Sequence, residues 1–319
     1  MSTDQIVYLT FGIVLLGALA FDLGLMSKKG KKITIKVALV QTVFWVVLAM
    51  AFFVFMWIEE GQKPALEYLS AYLMEWSLSI DNIFVFILIF NAFAVKEKNY
   101  SRVLLIGILM AIVFRIIFIT AGVALVQRFA WILYIFGAFL IYTGYKMFFA
   151  GEEKEFNPQR NKMYLFLKRF LPLASHDGNG KFFVTENGKR FYTTLFVVVF
   201  LLASIDLVFA LDSIPAVLGI SKDPLVIYTS NIFAVLGLRS LFFLLRTAVD
   251  KFEYLPKGIA IVLIFIGLKM LGEHWIDEWI DNTTEVIISL GMIVICIAGS
   301  IFYSMYILQK RKPMAEHIN

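Results

Sequence analysis

The chain has 319 residues, of which 60% are hydrophobic and only 17% charged, and its mean hydropathy is +0.81. Soluble domains carry about 45–50% apolar and about 25% charged residues, so a soluble enzyme and a disordered chain are excluded, and a single cysteine excludes a disulfide scaffold. The net charge of +5 does not point to nucleic acid, because Lys and Arg punctuate apolar runs instead of forming one basic face.

Nine apolar stretches are long enough to cross about 30 Å of hydrocarbon. They cover roughly 5–26, 37–58, 66–94, 103–126, 129–150, 192–218, 224–245, 258–272 and 286–308, the eighth borrowing residues from its flanks. The first lacks a basic leader and ends near Asp22, so it is expected as a span and not as a signal peptide. No run alternates strictly, which argues against a barrel. The connections 27–36, 95–102, 151–191, 246–257 and 309–319 hold 22 of the 29 Lys and Arg residues. The opposite connections hold only Lys63, Arg128 and Lys222. By the positive-inside rule the N-terminus is expected outside and the C-terminus in the cytoplasm, which needs an odd number of spans.

Landmarks inside the spans recur. Ser79-Ile80-Asp81 matches Ser204-Ile205-Asp206, Arg115 matches Arg239, and Gly144-Tyr145-Lys146-Met147 matches Gly267-Leu268-Lys269-Met270, with offsets of 125, 124 and 123 residues. Three spans separate the copies, so the two units run in opposite senses. Inverted repeats of this kind build many secondary transporters, with the ligand site near the midplane between them. The expected fold is therefore an all-α polytopic membrane protein of about nine transmembrane helices containing two inverted three-helix repeats. Its parts are two leading helices (1–64), a first repeat (65–150), a cytoplasmic loop with a hairpin at Asn187-Gly188 (151–191), a second repeat (192–272), and an outer loop, last helix and tail (273–319).

The third and sixth spans bury acids: Glu75 and Asp81, with Asn82, in one, and Asp206 and Asp212, beside Ser204 and Ser213, in the other. Each central charge opposes insertion by about 2.5–3.5 kcal/mol unless it finds a partner or water. Asp81 and Asp206 lie mid-span, and Glu75 and Asp212 lie six residues further toward the outside, about 9 Å of helix rise. Pro215 is expected to kink or unwind the sixth span beside Asp212. Carboxylates, an amide and hydroxyls are hard oxygen donors suited to Mg²⁺, Ca²⁺ or Mn²⁺, and all three histidines lie in connections. The competing expectation is purely structural, four acids balanced by Arg115, Arg239, Lys146 and Lys269; in a mixed reading the bases neutralise the empty site and yield when a cation or proton arrives. Asp22, Arg115, Ser213 and Arg239 are candidates for pathway or charge balance.

The motifs SLSIDNIFVF and SIDLVFALDSIPAVLGIS, with FDLGL ending the first span and WILYIFGAFLIYTGYKM later, resemble the TerC/Alx family of bacterial integral membrane proteins over nearly the whole chain. The resemblance implies Mn²⁺ export from the cytoplasm across the bacterial inner membrane, a link to tellurite resistance, and a helical fold related to the lysine-exporter superfamily. It places the family's functional positions on Glu75, Asp81, Asn82, Asp206 and Asp212, and on Asp22. One departure is Ala203, where many relatives carry Glu, so this chain has one carboxylate fewer. The expectation is a transporter without a tightly bound cofactor, whose partners are a divalent metal ion, Mn²⁺ as substrate, and the lipid bilayer, with no nucleic acid. The alternatives are a non-transporting membrane scaffold or assembly partner held by buried ion pairs, and a Ca²⁺ or Mg²⁺ transporter of the same architecture. No nucleophile–His–acid set or phosphate loop lies in the chain, so no enzymatic activity is expected.

Overall fold

In hydrocarbon, backbone N–H and C=O groups have only one another as partners, so long apolar runs become helices. The computed structural model describes residues 3–21, 33–129, 131–149, 162–174, 176–186, 188–246, 254–279 and 282–316. In chain order the elements are α1 (Thr3–Phe21), α2 (Ile35–Glu59), α3 (Gln62–Ala92), α4 (Glu97–Arg128), α5 (Ile132–Phe149) and α6 (Lys162–Phe170). There follow the strands β1 (Phe183–Glu186) and β2 (Lys189–Tyr192), then α7 (Thr194–Leu218), α8 (Pro224–Leu245), α9 (Leu255–Trp279) and α10 (Asn282–Glu316).

Among the described residues eight helices are long and apolar enough to cross a membrane: α2–α5 and α7–α10. The first expected span, 5–26, is described only as far as Phe21. Helix α1 is apolar only over Leu9–Ala20, and 22–32, with Asp22, lie outside the described residues. Helix α7 also departs from expectation, running unbroken through Pro215. Only three helical residues follow that proline, so a single lost hydrogen bond near the helix end does not stop it.

Helix α8 is apolar almost all round and almost wholly buried, as such a helix must be in a bundle core. It starts sharply because Pro224 occupies the first turn and the Asp223 carboxylate accepts from Leu225 N at 2.8 Å. Helix α3 packs on α8, α4 on α7, and α5 on α9, while α2 covers α8 and α10 covers α3 and α9. The three inner pairings are unchanged when α3, α4 and α5 are exchanged for α7, α8 and α9.

The α5–α9 pair touches backbone to backbone. A Cβ on Gly267 would lie 2.6 Å from Gly137 O, and one on Gly144 would lie 2.7 Å from Ala260 O. Adding the Gly144-to-Gly267 offset of 123 to Gly137 gives Ala260, so the two contacts are also mates under the exchange. Gly267→Ala is therefore expected to push the helices apart, costing about 1–3 kcal/mol, read as a lower thermal midpoint of the purified protein in detergent.

The described part of the stretch between α5 and α7 docks on the bundle end where α3 meets α4. Leu167 of α6 is buried against Val197 and Leu201, whereas Leu165, Phe166 and Phe170 are exposed beside Lys168 and Arg169. Strands β1 and β2 pair antiparallel with Glu186 opposite Lys189, and Gly188 takes φ +75° at the turn. Ahead of them a 3₁₀ turn at Gly178–Gly180 is pinned from two sides. Lys96 stands 2.9 Å from the Asp177 carboxylate, and Arg102 donates to Gly180 O at 3.1 Å while lying over the Phe182 ring. The Lys96 ammonium beside Asp177 holds its carboxyl below the usual carboxylate range. A depressed folded value means this contact stabilises above the ordinary carboxylate pH and fades as pH falls through the lowered value. Hydrogen exchange of the 178–192 amides is accordingly expected to quicken at the acid end, and to do so at neutral pH in Lys96→Met.

Candidate functional site

Glu75, Ser79 and Asn82 are spaced i, i+4, i+7 along α3, which places them on one helix face, and all three are buried. Opposite them α7 contributes Asp206, α4 contributes Arg115, and α8 contributes Asn231, each at most 2% exposed. The Arg115 guanidinium joins these four helices. Its Nε donates to Asp206 Oδ2 at 2.8 Å and its Nη2 to Asp206 Oδ1 at 3.1 Å, a two-pronged grip. Its Nη1 donates to Glu75 Oε1 and, at 3.1 Å, to Asn231 Oδ1. Asn231 is oriented for this, because its amide nitrogen donates to Ile227 O at 3.0 Å and leaves the oxygen facing Arg115.

One guanidinium thus meets two carboxylates, and the second Glu75 oxygen has no hydrogen-bond partner among the described residues. The buried hydroxyls of Ser77, Ser79 and Ser213 are likewise without one among the described residues. A carboxylate oxygen held dry and unpaired is costly, and a cation or a proton would relieve it. The centre itself is tightly closed: the void touching Asp206 is only about 10 Å³ and otherwise apolar. Arg115 fills the space that a cation between Glu75 and Asp206 would need.

Of the sequence-predicted residues, Glu75, Asp206 and Arg115 converge. Asn82 and Ser213 are buried on α3 and α7, and Arg239 is buried on α8, eight residues beyond Asn231. Asp81 and Asp212 belong to α3 and α7, but their side chains, like Asp22 as a whole, lie outside the described residues. The expected balance of four acids against four bases needs correcting. Lys146 is exposed, and Lys269 pairs with Glu285 at 3.0 Å, so neither base serves the centre. Among the described residues no three His, Cys, Asp or Glu side chains form a metal cluster.

Two features escaped the sequence reading. Asn231 is an uncharged residue within an apolar span, and the one clue to it was that it shares α8 with Arg239. The second is a cavity of about 270 Å³ where α3, α5 and α10 begin, lined among others by Lys63, Glu67, Ser221, Lys222, Lys269 and Glu285. It joins residues from α3, α5, the α7–α8 turn, α9 and α10, which no linear spacing reveals.

A helical bundle with eight candidate membrane-crossing helices and a buried charged centre defines a polytopic integral membrane protein. The chain belongs to the integral membrane protein TerC family, whose model matches residues 60–312. It is 41% identical over 287 residues to the uncharacterized membrane protein STKORF319 of Myxococcus xanthus, covering 90% of this chain and 88% of that one. An uncharacterized membrane protein of Rickettsia felis is 38% identical, with 97% and 99% covered. A protein of Escherichia coli K12 named "Putative membrane-bound redox modulator Alx" is 40% identical over 270 residues, with 82% and 84% covered. No solved structure matches the chain.

Proposed function

We propose that this protein carries a divalent cation, with Mn²⁺ as the expected cargo, out of the cytoplasm across the bacterial inner membrane. The observation that carries the reading is the incomplete charge balance at Arg115: one base, two wholly buried carboxylates, and a Glu75 oxygen left unpartnered among the described residues. Arg115 stands in for the cargo in the closed state. When it withdraws, Glu75 and Asp206 turn to the cation, joined in this reading by Asp81, Asn82 and Asp212, while Ser213 and Arg239 flank the route. The donors are hard oxygens, which favour Mn²⁺, Mg²⁺ and Ca²⁺ over soft metals. Relative movement of the two units exposes the centre to each side in turn. The hairpin end, rich in Lys and Arg, faces the cytoplasm in this orientation.

The reading assigns the protein no enzymatic role and no tightly bound cofactor. The chain contains a single cysteine, so any redox role like that in the relative's name cannot use an internal dithiol pair. The test is Mn²⁺ flux into sealed vesicles holding the purified chain. Flux above that of protein-free vesicles, suppressed by competing Mg²⁺ or Ca²⁺ only at large excess, is the expected result. A second reading, a non-transporting membrane partner, is favoured by all three Arg115 guanidinium nitrogens donating to buried partners. It predicts flux equal to that of empty vesicles.

A further inference from the structure

The cavity at the start of α3 contains a buried carboxylate that the central site does not use. Glu67 is 8% exposed, and its Oε2 accepts the Ser221 hydroxyl at 2.5 Å. The Ser221 oxygen in turn accepts from Asp223 N at 3.1 Å. Among the described residues the other Glu67 oxygen meets Lys63, 3.8 Å away and nearly half exposed, which is a loose contact. Among the described residues the remaining charged groups around the cavity are Lys222 and Asp223 on the α7–α8 turn, Lys269 on α9, and Glu285 on α10; α5 presents Leu133. Lys269 is held by Glu285 at 3.0 Å, so it is not Glu67's own partner. Glu67 is thus a largely desolvated carboxylate, weakly balanced, at the wall of a space large enough for water. A proton is the ligand such a group takes most readily.

Glu67 and Glu75 lie on the same helix, eight residues and so about 12 Å apart along its axis. That is too far for direct proton transfer but not for their charges to interact. At an effective dielectric constant near 20, one unit charge about 12 Å away changes the binding of a divalent cation by about a hundredfold.

We propose that Glu67 is a proton-binding site at this mouth of the protein, and that its protonation lowers the cation affinity of the centre at Glu75 and Asp206. The step is transfer of one proton from a hydronium in the cavity: an O–H bond of the hydronium breaks, an O–H bond forms on the Glu67 carboxylate, and a neutral acid and a water remain. Because the mouth faces outside in the proposed orientation, protons arriving there favour release of the cargo. The consequence for cargo rests on the transport reading; the proton site itself does not.

The test uses the full chain in lipid nanodiscs. Mn²⁺ binding is followed across pH by the paramagnetic resonance of free Mn²⁺, beside infrared difference spectra of the protonated-carboxyl band on pH change. Glu67→Gln is expected to weaken Mn²⁺ binding about a hundredfold at high pH and to meet the parent protein as pH falls, whereas Glu67→Asp keeps the parent's pH dependence. The carboxyl band should vanish in Glu67→Gln and survive in Asp206→Asn. A Glu67→Gln profile superimposable on the parent's overturns the proposal. If the parent chain binds no Mn²⁺, the transport reading falls, and the band decides for the proton site by its presence or against it by its absence.

Discussion

Arg115→Ala should lose about 3–5 kcal/mol of stability, the usual cost of stripping the base from a buried charge cluster. The size follows from geometry: every donor group of Arg115 is used, and removal leaves Glu75 and Asp206 buried with two negative charges and no base between them. The loss is measured as a lower thermal midpoint in detergent. Its cause is checked by Arg115→Met combined with Glu75→Gln and Asp206→Asn, which removes all three charges together and should recover most of the stability. Arg115→Ala should also be rescued by ligand. With the guanidinium gone, Mn²⁺ gains access to both carboxylates, and a ligand at a hundredfold its Kd adds about 2.7 kcal/mol. Arg115→Lys is expected to fall between, because an ammonium keeps the charge but not the two-pronged grip on Asp206.

Asp206→Asn should separate stability from transport. The variant leaves one guanidinium against one carboxylate, a balanced pair, and an amide oxygen can still accept from Arg115. Stability should therefore hold or rise, while Mn²⁺ flux falls at least about tenfold, since even supporting groups of metal sites cost 10–100-fold when removed. Glu75→Gln balances the charges in the same way and should behave alike. If both variants fold normally and carry Mn²⁺ at the parent rate, Glu75 and Asp206 are structural and the assignment of the cation site to them fails.

The sequence revealed the helices because a membrane-crossing segment must satisfy its backbone internally and fill its surface with apolar groups. Both demands leave long, unmistakable runs. The eighth stretch was the hardest to delimit, and its helix extends well past the apolar core, from Leu255 to Trp279. At the site, Glu75, Asp206 and Arg115 were legible because charge in hydrocarbon is costly and so conspicuous. Their partnership was not: which acid meets which base depends on rotation of four helices about their axes, and spacing along one helix does not fix that. Asn231 lacks a charge and so gave no such signal. Lys269 was misplaced for a related reason. It lies near a span end, where a lysine can reach toward the interface, but Glu285 of the following helix meets it inside the protein.

The glycine contacts between α5 and α9 have a mechanical consequence. Gly137 meets Gly267 and Gly144 meets Ala260, two points seven residues apart on each of two antiparallel rods. Rods touching at two points about 10 Å apart cannot slide lengthwise without driving Ile141 or Ile264 into backbone, nor scissor about a single point. Together α5 and α9 make a stiff spine, like the binding of a book. The pages that can open are α3, α4, α7 and α8, and Arg115 is the clasp between them.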